Sequence, residues 1–364
     1  MFVLFLGKQD GLCFNKIIRE GITMGRKNRD KYYLTLHQQA HQKIVSMQAF
    51  GDSRAADKLT GDDKSKIYSF ATYETYRRAV MRFIKYVGQN HPECTTLKKA
   101  KKFVNVWLQS RCDAGMSAWT ISMETSALCK LYGILPDDPR RFHAPSRRRE
   151  DIKRSRGEAK RDKHFSVKNN DELIKFAIGT GVRRNILEKL RGGNLWSKER
   201  VVSRIAELEN KETLSNDDER QLKNLKEALE AFPEFSFYLA HNQDKGGRYR
   251  VAPILPEYQD LIVSRMRSVA PDELVFRHIH SAADIHSYRG EYASRIYRRY
   301  ERDLRTLPYN KYNRGTKKWY QGDVYICRSD EKGRRLDRMA LYKTSLSLGH
   351  SRVDVVARNY LYGL

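Results

Sequence analysis

The sequence predicts a mainly α protein with a small β-sheet, split into a helical first domain and a mixed α/β second domain. Three observations carry this. Apolar residues recur at helical spacing from Ser69 onward. A proline- and arginine-rich stretch from Asp137 to Lys163 breaks that periodicity. Beyond it, two short β-rich runs flank a Gly246-Gly247 turn within otherwise helical sequence. At 364 residues the chain is long enough for two domains and a sizeable core. Apolar residues at 40% against 31% charged give the balance of a globular chain rather than a disordered one.

Taken in order, residues 1–65 are expected to form an N-terminal arm or short helical region. The apolar opening Met1 to Leu6 lacks a basic lead and a small-residue cleavage site, so it does not read as a signal peptide. Met24 stands as an alternative start. Residues 25–65 are polar and basic with few periodic apolar positions.

Residues 66–136 read as a helical DNA-binding domain. Tyr76, Val80, Phe83, Ile84 and Val87 share one helix face. Ala100, Phe103, Val104, Trp107 and Leu108 make a second, and Ile121, Leu128, Leu131 and Tyr132 a third. Arg77, Arg78, Arg82 and Lys85 lie opposite the first face, and Lys98, Lys99, Lys101 and Lys102 surround the second. Residues 137–164 form a basic linker, with Arg147, Arg148 and Arg149 at its start. These cations are the expected phosphate contacts, because neutralised phosphates release counterions.

Residues 165–364 form the second domain. Leu173, Ile174, Ala177 and Ile178 predict a helix running into the Thr180-Gly181 turn, and Arg183, Ile186, Leu187 and Leu190 predict the next. Phe235 to Leu239 and Tyr249 to Ile254 predict two strands. Between helix and strand, residues 197–231 carry sparse leucines among dense Glu and Lys, and Ser215 with Asp218 forms a capping box. This predicts a charged helical hairpin, an insertion at the surface or a contact for another protein.

Seventy Lys and Arg against 44 Asp and Glu leave a formal charge of +26. A polyanionic partner is expected, and nucleic acid is the usual one at such a pI. The five cysteines show no pairing pattern, which fits a reduced cytoplasmic compartment. No stretch approaches the roughly 20 apolar residues of a membrane span. His91 near Cys94 has no second ligand pair, so no metal is expected.

Six residues form an ordered set: Arg183, Lys245, His286, Arg289, His350 and Tyr360. A phosphodiester resists nucleophiles, and its cleavage needs cations aimed at the oxygens of a pentacoordinate phosphorus. Arg183 and Arg289 suit this, since guanidinium grips oxygens in pairs. Lys245, at the tip of the expected strand pair, can protonate a departing 5′ oxygen. His286 and His350 can donate hydrogen bonds or move protons. Tyr360 is the candidate nucleophile, with Tyr362 as fallback; a phenol of ordinary pKa, about 10, must lose its proton as it attacks.

The set resembles the tyrosine recombinase (phage integrase) family. Thr180-Gly181-Val182-Arg183 is similar to its first arginine box. His286-Ser287-Tyr288-Arg289 is similar to its His-x-x-Arg box, with Tyr288 where leucine is usual. Leu348-Gly349-His350 with Tyr360 is similar to its last box. Lys245 falls where the family's hairpin lysine is expected. The resemblance covers residues 66–364. It implies a helical core-binding domain and a mixed α/β catalytic domain clamped round double-stranded DNA. It also implies a 3′-phosphotyrosine intermediate, homotetramers on paired sites, accessory DNA-bending proteins, and no cofactor, metal or ATP. Integration, excision or transposition of a mobile element is the expected use, with a nucleoid association in a bacterial host. A type IB topoisomerase-like enzyme and a catalytically inactive DNA-binding protein are the alternatives.

The chain departs from the family pattern in four places. Ile186 stands where an acidic residue is common, with Glu188 nearby. Tyr360 follows His350 by ten places, where nine is commoner. The stretch between Arg289 and His350 is long and includes the basic, aromatic residues 309–320, expected to be an added DNA-contacting loop. Four residues follow Tyr360, so the tail that many relatives dock into a neighbour is expected to be absent or shortened.

Overall fold

A computed structural model describes residues 34–148, 165–243, 249–328 and 331–364. The chain divides into two units, residues 1–151 and 152–364. Among the described residues helices dominate, and three small antiparallel sheets accompany them. The coarse fold class matches the expectation.

In the first unit the helices are α1 (Leu36–Val45), α2 (Arg54–Thr60), α3 (Phe70–Asn90), α4 (Leu97–Ala100), α5 (Val104–Asp113) and α6 (Ala118–Tyr132). The three predicted faces are the buried ones: Val80, Phe83, Ile84, Val87, Trp107, Leu108, Ile121 and Leu128 are all enclosed. Phe83 meets Trp107 edge-on at 5.5 Å, a geometry that ring quadrupoles favour. Of the two forms expected for this region, residues 34–65 take the short helical one. Thr35 and Gln38 form a capping box on α1, and Ala40 and Ile44 join the same core as α3. Two apolar positions one turn apart suffice to dock α1 on that core.

Some of the expected phosphate contacts also pair with carboxylates. Glu124 is fully buried on α6 and accepts from Arg82 at 2.9 Å and from Arg111 at 3.1 Å. A carboxylate removed from water requires such partners, so Arg82 holds Glu124 while its own side chain stays exposed. Arg77 is tied to Glu74 within its own helix at 2.9 Å.

The second unit opens with α7 (Asp171–Thr180) and α8 (Arg184–Leu187), so the second predicted helix is a single turn. Next come β1 (Leu195–Ser197), α9 (Lys198–Glu209), α10 (Asn216–Ala231), β2 (Phe237–His241) and β3 (Arg250–Pro253). The strands pair antiparallel in the order β1-β2-β3, with Leu195 opposite Leu239 and Leu239 opposite Ala252. The predicted helical hairpin is present, capped by Ser215 and Asp218. It is more than a surface insertion, because Val201, Leu208, Leu225 and Ala228 are buried in the unit's main core.

The chain continues through α11 (Gln259–Arg267) and α12 (Ile285–Tyr300). A ribbon follows, β4 (Lys311–Asn313) with β5 (Lys318–Tyr320), and then a second pair, β6 (Val324–Ile326) with β7 (Arg335–Asp337). Helices α13 (Arg338–Ser347) and α14 (Val353–Asn359) complete it. None of the four strands from β4 to β7 was expected; three residues are too few to display a two-residue period. No helix among the described residues is long and apolar enough to cross a membrane.

Candidate active site

Two helix ends build the site. Helix α7 stops at Gly181, which adopts φ +57°. Any Cβ there would collide with the Tyr292 ring, so glycine is required both for the left-handed turn and for the close approach. The turn delivers Arg183, half-exposed, to the N-cap of α8. Helix α13 stops in the same manner at Gly349, with φ +67°. The Gly349 amide donates to the Leu346 carbonyl at 2.9 Å and the His350 amide to the Ser345 carbonyl at 2.8 Å. This reciprocal closure is the Schellman motif. It accounts for the Leu-Gly-His order: Leu348 is buried, Gly349 reverses the chain and His350 emerges beyond it.

Helix ends leave carbonyls without partners, and here two buried guanidinium groups take them. Arg289 lies on the inward face of α12 with Tyr292, Ala293 and Ile296 and is 1% exposed. It donates to the carbonyls of Gly181 and Leu348, the latter at 2.6 Å. Arg250, 2% exposed, donates to the Ser347 carbonyl at 2.8 Å and the Thr180 carbonyl at 3.2 Å. Positive charge at the C-terminal ends of helices is favourable. Burial, and then the neighbouring Arg250 charge, pull the Arg289 pKa down to about 9. It remains a cation at neutral pH.

Tyr360 sits just past α14, half-buried. Its hydroxyl accepts from Arg289 Nε at 3.2 Å and lies 3.4 Å from His350 Nε2. The Arg289 guanidinium stands 5.4 Å from the Tyr360 ring centre. The rings of His286 and His350 flank that of Tyr360, with centroids at 5.3 and 5.5 Å. Arg183, Arg184, His286 and Arg289 line one cleft of about 410 Å³. Asp284 caps α12 by accepting from the Ser287 amide at 3.0 Å, which fixes the turn carrying His286. A second cleft, about 530 Å³, runs past His350 and Ser351 to Arg220 and Lys223 of the helical hairpin.

The structure therefore brings Arg183, His286, Arg289, His350 and Tyr360 together, although they lie far apart in the sequence. Lys245 lies outside the described residues. Ile186 is fully buried and Glu188 exposed, so the acidic residue common near the first arginine has no counterpart at that place. Tyr288, at the usual leucine position, packs half-buried against the core around Phe176 and Ile285. Sequence reasoning missed Arg250. It reads there as one more cation of a basic hairpin, Arg248-Tyr249-Arg250, and only its burial distinguishes it.

In the first unit, Lys98, Lys99, Lys101 and Lys102 are exposed, as are Arg78, Arg147 and Arg148. Lys98 and Lys101 line a cleft of about 990 Å³ with Lys43 and Arg141. Arg147 reaches the Ser122 hydroxyl at 2.6 Å. Arg149 lies outside the described residues.

Compared with known proteins, the chain matches no family model and no curated protein.

Proposed function

We propose that this chain cuts and rejoins DNA strands through a tyrosine ester, as a site-specific recombinase of the tyrosine type. The observation that carries the reading is the Tyr360 hydroxyl, within 3.2 Å of Arg289 Nε and 3.4 Å of His350 Nε2. A phenol so placed serves as a nucleophile once its proton has somewhere to go. Neutral His350 can accept that proton, and the Arg289 cation stabilises the phenolate as it forms.

In the proposed reaction the scissile phosphate enters the cleft between Arg183 and Arg289. Three of the five N–H donors of Arg289 are used by Gly181, Leu348 and Tyr360. The other two donors are left for the oxygens of the phosphate. The phenolic oxygen attacks phosphorus and the bond to the 5′ oxygen breaks, leaving a 3′-phosphotyrosine and a 5′ hydroxyl. Lys245 is the proposed donor of the proton to that leaving oxygen. Attack by a 5′ hydroxyl of another strand reverses the step. One phosphoester replaces another each time, so bond energy is conserved without a nucleotide triphosphate.

The DNA-binding role rests on a formal charge of +26 and on the basic cleft of the first unit. In this reading that unit is the core-binding domain and the second the catalytic one, acting as tetramers on paired sites of a mobile element. A nicked suicide duplex tests the chemistry: the wild-type chain is expected to become covalently attached to DNA and Tyr360→Phe is not. Recombination of paired sites without ready relaxation of a single supercoiled plasmid separates the recombinase from a topoisomerase.

A salt titration tests the interface. The logarithm of affinity should fall linearly with the logarithm of salt, by about 0.9 per phosphate neutralised. Replacing Lys98 and Lys101 by alanine should reduce that slope by about one to two. An unchanged slope would remove the first unit's basic cleft from the interface.

A further inference from the structure

The ribbon β4–β5 has a composition unlike the rest of the second unit. From Leu304 to Gly322 there is no acidic residue, while Lys311, Arg314, Lys317 and Lys318 are all present. Every residue of both strands is exposed. Tyr312 pairs directly across from Trp319, and their rings stand 5.5 Å apart at 59°. Because side chains alternate along a strand, this pair shares one face. Lys311, Asn313, Lys318 and Tyr320 share the other. Trp319 is 60% exposed and Tyr312 47%. A pair serving only to close the hairpin would not need to leave an indole so far in water.

The ribbon is also held rigidly. At its base Gln321 is buried and donates to the carbonyls of Leu304 and Leu307 at 2.8 and 2.7 Å. The Gly322 amide donates to Asn310 Oδ1 at 2.9 Å. At its tip Asn313 Oδ1 accepts from the amides of Gly315 and Thr316. Rings fixed in advance lose little freedom when a ligand settles on them.

We propose that this ribbon is a docking surface for unpaired DNA bases, which stack on Tyr312 and Trp319 while Arg314 and Lys317 at the turn attract the phosphates. The sign of the charge supports DNA over a protein partner, since several cations with no acidic residue among them complement a polyanion. Unpaired bases are favoured over duplex because duplex base faces are already covered by their neighbours. Exposed aromatic faces need an open π-face to stack on. Strand exchange supplies one, because bases beside each cut must leave their old partners before joining new ones. The inference thus rests on the strand-transfer reading and names a second element that serves it.

The test uses the full chain and two labelled probes, a single-stranded oligonucleotide and the blunt duplex of the same sequence. Tyr312→Ala with Trp319→Ala should weaken single-strand binding about tenfold or more, leaving duplex binding within about twofold. Tyr312→Phe with Trp319→Phe should retain single-strand binding, which excludes a collapsed hairpin as the cause of the loss. Equal losses on both probes, no loss on either, or a phenylalanine variant as impaired as the alanine one would overturn the proposal. Adduct formation on the nicked duplex, measured in the same preparations, reports on the parent reading separately. Adducts without the single-strand effect discard the ribbon proposal alone, whereas a wild-type chain forming none discards strand transfer itself.

Discussion

Alanine at Arg289 is expected to reduce covalent DNA cleavage by about 10³-fold or more, and to destabilise the second unit as well. The first effect follows from removing a cation aimed at the reacting phosphate. The second follows from what Arg289 touches now. Its loss strands the carbonyls of Gly181 and Leu348 in a buried setting, at about 2–4 kcal/mol for two such groups. For a unit of this size that is a fall of several degrees in melting temperature. Arg183→Ala should match the first effect and not the second, because Arg183 is half-exposed at the N-cap of a single-turn helix. DNA affinity should change little in either. Cleavage, melting and affinity measured on both variants separate the roles. Wild-type cleavage by either variant would overturn the site assignment.

Arg250→Met is the second change with a large expected effect. Arg250 joins the end of α13, through the Ser347 carbonyl, to the end of α7, through the Thr180 carbonyl. These two ends present His350 and Arg183. Methionine fills much of the volume but donates nothing, so the two helix ends lose their common tie. A stability loss of roughly 2–4 kcal/mol is expected. Cleavage should fall about 10- to 100-fold by misplacement alone, with duplex affinity nearly intact. Arg250 is a positioning residue in this account, and its signature is that split between rate and affinity. If cleavage were preserved in a folded Arg250→Met protein, the tie would have no part in catalysis.

What the sequence discloses, and what it hides, follows from the range of each signal. The helices of the first unit are legible because their apolar stripes are long and local. The turns carrying Arg183 and His350 are legible because each is punctuated by a glycine at a left-handed helix end. Arg250 and Arg82 are not legible. Both look like surface cations, and what each holds lies far off in sequence: the Ser347 carbonyl, 97 positions from buried Arg250, and the buried Glu124, 42 positions from the exposed Arg82. The helical hairpin is legible from its sparse leucines and from the capping box that opens its second arm. That its leucines enter the main core is not, since a sparse apolar stripe reads the same at a surface as against a neighbour. The ribbon β4–β5 announced itself by composition, but its strands are too short to show alternation. Tyr360 was singled out by its spacing from His350. That its hydroxyl meets Arg289 is a fact of folding, because 71 positions separate the two.

The most direct measurement is to trap the reaction on a nicked suicide duplex, digest the protein and locate the nucleotide by mass spectrometry. A phosphotyrosyl nucleotide at Tyr360, joined through the DNA 3′ end, is the expected product, with none formed by Tyr360→Phe. An adduct at Tyr362 or at a 5′ end, or binding of the duplex with no covalent product at all, would contradict the claim that Arg289 and His350 prepare the Tyr360 hydroxyl to attack phosphorus.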